Sequence, residues 1–531
     1  MARLLLTLVC LIVAGAPGWV AAGEKPGKDP APKPAKPRFT IGKETTVVAG
    51  PVDKDGFIDF PAALNERMRK GVTPKTNANV LIWQAIGPRP EGLPTPAEFF
   101  SWLQIEAPPE RGDYFIGLET FIKDHLKIAD REQIDEVRNQ QTDATQRPWN
   151  DRQYPHIAAW LKANEKPIAL VVEATKRPHY FSPLVPGKNE KGSTGMLTAS
   201  VSSVQKCREL AAALTARALR RVEEGKHDDA WQDLLACHRL ARHVGKGATL
   251  IETLVSIALD NIASAADLAF LERAKLDATQ IAACLRDLRQ LPPMPVVFEK
   301  IDQGERFMFH DSVMMMMRQG PEHLETIAGK SSGKPHPIAQ RYFESIDWDP
   351  VMRNANQWYD RIVAAMRVPD RGQRAERLRQ VEDDIKELKV SSFPNAANVA
   401  RMVLGTPEMK GKVIGDMLIT LLLPAIMKIQ QAGDRGEQVQ RNLQLAFALA
   451  AYRHEHGRYP AKLDELAPKH LAKVELDLFT GKPLVYRPMD DGYLLYSLGV
   501  DGRDDEGHGY DDDPRGDDLA VRMPLPKLRK N

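Results

Sequence analysis

AFALAAYRHEHGRYPAKLDELAP (446–468) opens the part of the chain with the clearest structural signals, and DLFTGKPLVYRP (477–488), DGYLLYSLGVDG (491–502) and RDDEGHGYDDDPRGDD (503–518) follow it. Val439, Leu443, Phe447 and Ala450 recur at helical spacing, which predicts an amphipathic helix leading into this region. Gly457 ends that helix because glycine readily adopts the left-handed backbone of a helix end. The region therefore begins with a long helix.

The segment after the helix predicts an antiparallel hairpin. Leu484 and Tyr486, then Tyr493 and Leu495, occupy alternate positions in the manner of a half-buried hairpin. Asp490-Asp491-Gly492 between them supplies residues that tolerate the positive φ of a tight turn. We therefore expect a small helix-plus-antiparallel-sheet module at the C-terminus, over residues 436–531.

This module resembles the globular domain of the major pseudopilins of type II secretion. The matching text is Tyr459-Pro460, the Asp477–Pro483 segment, Tyr486, and SLGVDG at 497–502, with Leu478 where that family has proline. In that family the loop after this strand binds calcium through backbone carbonyls and aspartates. The resemblance covers under a fifth of the chain and implies a fold for that part.

Carried over by position, the resemblance implies a calcium site formed by the Leu498 carbonyl, Asp501, and Asp517 or Asp518. Carboxylates and carbonyls on a flexible loop can supply the six to eight oxygens that calcium takes. An EF-hand is excluded because Arg503 occupies a ligand position. The alternative is a solvated acidic turn that binds no ion.

A pseudopilin begins with a short leader and a polymerising helix, whereas this module lies at the far end of 531 residues. Residues 247–258 do resemble the cleavage motif of type IV pilins, with Glu252 at the fifth position after Gly247. Asp260 and Asn261 interrupt the apolar run, which favours an ordinary buried helix. A secretion-filament-related subunit would require processing at Gly247.

The N-terminus predicts export from the cytoplasm. Residues 1–22 read as a signal peptide, with Arg3, an apolar run and Val20-Ala21-Ala22 before Gly23. Residues 23–38, rich in proline and lysine, read as an extended linker. We expect a periplasmic or secreted protein with no integral membrane span after cleavage, or, alternatively, one retained by an N-terminal anchor.

The chain is long enough for two or three domains. We predict a predominantly α (α+β) protein with an N-terminal α+β domain (39–197), a helical domain (198–435) and the C-terminal module. Thr45–Val48 and Ile168–Ala174 are strand candidates in the first domain. Residues 200–225 and 228–247 predict a helical hairpin around Gly225 in the second.

No motif in the sequence indicates a reaction. Seventy-three basic residues balance 71 acidic ones, which gives no electrostatic reason to expect nucleic acid. Gly329-Lys330-Ser331 lacks the first glycine of a phosphate loop, and His454-Glu455-His456 lacks the spacing of two zinc ligands on a helix. Ser203 and Lys206 form a Ser-x-x-Lys pattern without its companion motifs. Cys207, Cys237 and Cys284 are expected in the core, with one disulfide left open.

The phrases ALNERMRKGVTPKTNANVLIWQAIGP (63–88), AWQDLLACHRLARHVGKGATLIE (230–252) and YSLGVDGRDD (496–505) also resemble a family of uncharacterised exported proteins of planctomycete-type bacteria. That resemblance implies a compartment and an architecture. We therefore expect a non-enzymatic extracytoplasmic interaction protein that binds an envelope or secreted protein. The alternative is a cell-envelope hydrolase with a site of dispersed residues.

Overall fold

A computed structural model of the chain describes residues 39–189, 192–193, 195–199, 202–320, 343–392 and 404–528. The predicted signal peptide (1–22), the linker (23–38) and a loop predicted at 329–338 lie outside these residues. The described part is mostly helical, with one three-stranded antiparallel sheet near the C-terminus. The predicted helical character and the small C-terminal sheet are confirmed.

The helices, in chain order, are α1 Phe60–Arg69, α2 Ala78–Ile86, α3 Ala97–Leu103, α4 Leu118–Thr120, α5 Arg131–Ala144, α6 Pro155–Ala163, α7 Glu165–Thr175, α8 Ser202–Glu223, α9 His227–Val244, α10 Leu250–Arg273, α11 Ala278–Gln290, α12 Val297–Lys300, α13 Arg306–Gln319, α14 Asp349–Met366, α15 Arg371–Ser392, α16 Pro407–Leu422 and α17 Pro424–His456. Short π-helical turns, Phe121–Leu126 and Ile301–Glu305, and 3₁₀ turns, Met196–Thr198 and Leu463–Leu466, extend or connect them. The strands are β1 Lys188–Asn189, β2 Gly192–Ser193, β3 Val485–Pro488, β4 Tyr493–Ser497 and β5 Leu519–Met523.

The chain divides into two compact units, each built from three separate stretches. The first unit comprises Met1–Lys70, Leu184–Ser200 and Phe298–Lys428, and the second comprises Gly71–Pro183, Val201–Val297 and Ile429–Asn531. These units group the chain differently from the predicted domains, whose boundaries stay predictions.

The first unit contains a close helix crossing and a polar anchor. A Cβ at Gly411 would lie 2.1 Å from the carbonyl oxygen of Asp347, so only glycine lets α16 approach the segment just before α14 this closely. From α14, Asn356 donates hydrogen bonds to the carbonyls of Glu44 and Thr45 over 2.9 and 2.8 Å, and its Oδ1 pairs with Nε2 of His310. These hydrogen bonds hold the turn that contains Glu44 and Thr45 against α14.

The second unit is centred on the α8–α9 hairpin and α10. Gly225 turns the hairpin with a φ of +73°, as predicted. Trp231 on α9 contacts Phe270 on α10 and Phe447 on α17, with ring centroids 5.5 and 5.7 Å apart. Aromatic rings bury large apolar areas, so this trio holds the C-terminal helix on the helical body of the second unit.

The prediction of two strands in the N-terminal region is wrong. Ile168–Ala174 lies inside α7, where Ile168, Val171 and Ala174 are fully buried on one helical face. Thr45–Val48 forms a turn, closed by hydrogen bonds back to the carbonyl of Gly42. Tertiary packing of a helical stripe overrides the strand propensity of a valine-rich segment.

The C-terminal module has the predicted order of elements. Helix α17 ends before Gly457, whose φ is +70°. Strands β3, β4 and β5 form an antiparallel sheet in that order, with Leu495 opposite both Tyr486 and Val521. Tyr493 and Leu495 are buried as expected, but Tyr496 and Ser497 are buried too, so burial along β4 does not alternate strictly.

Helix α10 is long and apolar enough to cross a membrane, judged by length and composition among the described residues. Core helices of folded proteins share that property. Its Asp260 and Asp267 are buried and hydrogen-bonded to His238 of α9 in the same unit. These pairs favour a core helix, and Glu252 caps its first turn by accepting from the amide of Thr249.

Candidate metal centre

The loop that joins β4 to β5, residues 498–518, carries most of the acidic residues of the module. Its entrance is fixed by Asp477, a buried residue whose Oδ2 accepts the amide N–H of Leu498 over 2.9 Å. The Oδ1 of Asp477 accepts the amides of Phe479 and Thr480. One carboxylate therefore joins the turn before β3 to the start of the acidic loop.

Three carboxylates of this loop meet at its base. Asp501, Asp505 and Asp517 each place a carboxylate oxygen within 4.8 Å of the others. Asp517 sends its amide N–H to Oδ2 of Asp505 over 2.9 Å, which fixes these two against each other. Such spacing allows all three to contact one cation.

Asp517 is partly buried and makes several contacts. Its Oδ2 accepts the amides of Val500 and Asp501 over 2.9 and 3.4 Å, and Nη1 of Arg435 lies 3.5 Å from the same oxygen. Its Oδ1 is buried and has no hydrogen-bond partner among the described residues. Burial, followed by the neighbouring carboxylate of Asp501, raises the pKa of Asp517. The negative charge on Asp517 is therefore incompletely compensated.

The close approach of the two ends of the loop depends on a glycine. Gly499 has a φ of +66°, and a Cβ there would lie 2.3 Å from the carbonyl oxygen of Asp517. Only glycine fits such a contact without displacing backbone. Gly499 therefore allows Asp517 to reach the segment that carries Asp501.

Only some of the predicted calcium ligands belong to the three-carboxylate group. Asp501 and Asp517 come together, and Asp505, which the sequence reasoning left out, completes the group. The amide of Leu498 is fixed by Asp477, and a ligand role for its carbonyl stays a prediction. Asp518 is not one of the three grouped carboxylates, and its own metal role stays a prediction.

Asp518 is a buried residue that holds the acidic loop through hydrogen bonds to its backbone. It is 2% exposed, and its Oδ2 accepts the amides of Asp505 and Gly507 over 3.1 and 2.8 Å. Burial, followed by the charge on Asp505, raises the pKa of Asp518 to about 6. Its Oδ1 has no hydrogen-bond partner among the described residues.

A buried charged network in the helical body was also missed by sequence reasoning. The ring of His238 lies between two carboxylates, with Nδ1 2.6 Å from Oδ1 of Asp260 and Nε2 2.8 Å from Oδ2 of Asp267. Arg242 pairs with Asp260. Burial alone lowers the pKa of His238, but the carboxylates of Asp267 and Asp260 outweigh it and raise the pKa to about 9. The imidazole is therefore a cation held between two carboxylates.

The network could have been read from helical spacing. His238 and Arg242 are four residues apart and Asp260 and Asp267 are seven apart, so each pair lies on one helical face. Its surroundings are closed, and the four charges are paired inside the core of the second unit. This is a structural network.

Of the remaining sequence expectations, the three described cysteines, Cys207, Cys237 and Cys284, are buried and free, as expected for core residues. Comparisons of the chain with protein-family models, with curated proteins and with solved structures give no match.

Proposed function

We propose that the C-terminal module binds a calcium ion at Asp501, Asp505 and Asp517, and that the ion stabilises the loop joining β4 to β5. The observation that carries this proposal is the convergence of three carboxylate oxygens within 4.8 Å. Like charges at that distance repel one another, and a divalent cation converts the repulsion into attraction.

The environment of Asp517 favours a bound cation over the alternative of a solvated acidic turn that binds no ion. One of its oxygens is buried without a partner among the described residues, and Arg435 contacts the other oxygen only at 3.5 Å. An incompletely compensated carboxylate costs free energy, which a cation at the cluster would remove.

The chemistry of the loop favours calcium over magnesium. Calcium accepts an irregular shell of carboxylate and carbonyl oxygens, whereas magnesium demands a near-octahedral one. An irregular loop with turns at Gly499, Gly502 and Gly507 suits the first kind of shell. The carbonyl of Leu498 is the proposed backbone ligand.

For the whole chain, we propose a non-enzymatic extracytoplasmic protein whose helical body binds a protein partner and whose C-terminal module is pseudopilin-like. The order of helix, hairpin, acidic loop and closing strand supports the likeness. The hydrolase alternative also stays a prediction, since a cleft of 990 Å³ in the second unit is lined by the carboxylates of Glu110, Asp113 and Glu209 beside Tyr114 and Lys206.

Calorimetric titration of chelator-stripped protein with calcium chloride tests the proposed site. We expect one ion per chain to bind, with Asp505→Asn and Asp517→Asn each weakening the affinity by about tenfold or more. Magnesium chloride should bind more weakly than calcium.

Asp513→Asn is the matched control, because Asp513 is an exposed aspartate of the same loop outside the three-carboxylate group. Its affinity for calcium should stay within about twofold of the parent. Absence of calcium binding, or equal losses in Asp513→Asn and Asp505→Asn, would reject the site.

A further inference from the structure

The cleft of 990 Å³ in the second unit is bounded by the end of α2, residues 88–92, residues 110–117, the junction of α6 with α7 and the start of α8. Ligand pockets in proteins run from about 300 to 1,000 Å³, so this one admits a ligand of several rings. Its described lining includes none of the three carboxylates of the proposed calcium site. The two sites can therefore be tested separately.

The surface that this cleft offers to a ligand is mainly polar. Its apolar lining residues are largely buried, with Ile86 4% and Phe115 6% exposed. Its charged lining consists of four cationic and five anionic side chains, most of them exposed. A protein partner is usually bound through large apolar anchors that enter apolar pockets, and this lining favours a polar ligand instead.

Two exposed ion pairs belong to the lining. Nε of Arg89 lies 2.6 Å from Oε2 of Glu110, and Nζ of Lys166 lies 2.7 Å from Oδ2 of Asp113. All four side chains are exposed, so a ligand in the cleft can contact both members of a pair. Each pair presents a hydrogen-bond donor beside an acceptor.

A third ion pair is less exposed and lies against backbone. Nζ of Lys206 is 2.9 Å from Oε2 of Glu209, which follows it on α8. A Cβ at Gly117 would lie 2.1 Å from this oxygen and 2.8 Å from the ammonium nitrogen, so the glycine makes room for the pair. The two side chains are 13% and 28% exposed and line the cleft. Side chains that are already held lose less freedom when a ligand binds.

Tyr114 gives the cleft a half-buried aromatic side chain in a fixed orientation. Its hydroxyl donates to the carbonyl oxygen of Pro109 over 2.6 Å. Its ring lies so close to the backbone of Gly87 and Gly112 that a Cβ at either position would come within 2.6 and 2.8 Å of it. The ring is therefore a rigid apolar contact within a polar cleft, and the C–H groups of a sugar ring can pack on such a surface.

We propose that this cleft binds an uncharged oligosaccharide, whose hydroxyls contact the ion pairs and one of whose rings packs on Tyr114. A hydroxyl both donates and accepts hydrogen bonds, so a single one can bind a carboxylate and its cationic partner together. Ionic ligands gain less, because four cations and five carboxylates give no field of one sign to attract them. This inference goes beyond the proposed function, which assigns no ligand of this class.

Calorimetric titration of the full chain, with chelator present, tests the cleft independently of calcium. The probes are three uncharged tetrasaccharides: cellotetraose, maltotetraose and tetra-N-acetylchitotetraose. They distinguish a β-linked glucan, an α-linked glucan and an acetamido sugar as the source of the hydroxyls. Tetragalacturonate is the anionic comparison of the same length, and acetyl-tetraserine-amide is an uncharged peptide that also carries hydroxyls.

We expect saturable binding of at least one uncharged tetrasaccharide at one site, with tetragalacturonate and the peptide binding about tenfold or more weakly. The tetrasaccharide that binds most tightly identifies the sugar class. Failure of all three uncharged tetrasaccharides to bind would overturn the proposal. Tighter binding of tetragalacturonate or of the peptide would overturn it as well.

Three variants test the named contacts against the tetrasaccharide that binds most tightly. Asp113→Asn and Glu209→Gln each remove a charged acceptor, and Tyr114→Ala removes the ring. We expect each to lower the affinity by about tenfold. Asp113 is exposed, so its replacement leaves the fold intact. Parent-like affinity in Asp113→Asn would overturn the proposal even if Glu209→Gln or Tyr114→Ala failed to fold.

Asp135→Asn is the matched control. Oδ1 of Asp135 pairs with Nη1 of Arg138 over 2.8 Å, and neither residue belongs to the described lining of the cleft. The variant thus breaks an ion pair of the same kind elsewhere in the second unit, and its affinity for the tetrasaccharide should equal that of the parent. A loss as large as that in Asp113→Asn would show that the effect is not specific to the cleft and would overturn the proposal.

Discussion

The amide N–H of Asp517 donates to Oδ2 of Asp505 over 2.9 Å, which brings together two acidic residues twelve positions apart in the loop. This bond sets two carboxylates of the cluster at short range, where they repel each other unless a cation lies between them. The repulsion between these carboxylates therefore destabilises the loop, and a bound cation would remove that destabilisation.

The backbone of Gly499 lies so close to the carbonyl of Asp517 that no side chain should be tolerated at position 499. Gly499→Ala places a Cβ against the carbonyl of Asp517 in addition to the strain of a positive φ, so we expect a loss of about 2 kcal/mol or more in the free energy of unfolding. Gly481→Ala is the control, because Gly481 has the same φ of +66° with no atom near its Cβ position. It should cost about 1 kcal/mol. Urea unfolding measures both, and equal losses would show that the close approach does not matter.

The buried imidazolium of His238 should make the second unit less stable in mild alkali. Its folded pKa of about 9 lies above the ordinary value of 6.5. The stabilisation is therefore complete below about pH 6.5 and is lost as the pH rises through about 9. Urea unfolding at fixed pH steps should show this decline.

The variant His238→Asn should remove that decline and cost roughly 3–5 kcal/mol at neutral pH, because Asp260 and Asp267 lose their shared partner. His454→Asn, at an exposed histidine, should retain the decline. A parent protein whose stability is flat between pH 6.5 and pH 9 would contradict the ionised state of His238.

Asn356 should stabilise the first unit more than its neighbour Asn354. Asn356→Ala removes the donor to two backbone carbonyls and the partner of His310, and we expect a loss of roughly 2–3 kcal/mol. Asn354→Ala removes one hydrogen bond to Asp416, 2.7 Å long and partly buried, and should cost about 1 kcal/mol. Chemical unfolding compares them, and equal effects would count against the anchoring role of Asn356.

Local patterns in the sequence predicted the module well. The helical spacing of Leu443 and Phe447 and the strand positions of Tyr493 and Leu495 depend on near neighbours, and all four side chains are buried. Ile168–Ala174 was misread because the valine run carries strand propensity, while the decisive stripe of Ile168, Val171 and Ala174 has helical spacing.

The site was only partly predictable from the sequence. Asp501 and Asp517 were found through a resemblance in motif order, whereas Asp505 could not be separated from the many other aspartates of the loop. Which aspartate reaches the cluster depends on the path of the backbone, set by Gly499 and by the bond from Asp517 to Asp505. The position of Asp518 beneath the loop likewise depends on tertiary packing.

Thermal unfolding of the chain with calcium and with chelator tests the central claim most directly, for the parent and for Asp505→Asn. Calcium at about 100 times its dissociation constant should stabilise the parent by about 2.7 kcal/mol and raise its melting temperature. In chelator, Asp505→Asn should melt at or above the parent, because one repelling charge is gone, and calcium should then raise its melting temperature little. A parent whose melting temperature is the same in millimolar calcium and in chelator would contradict the account.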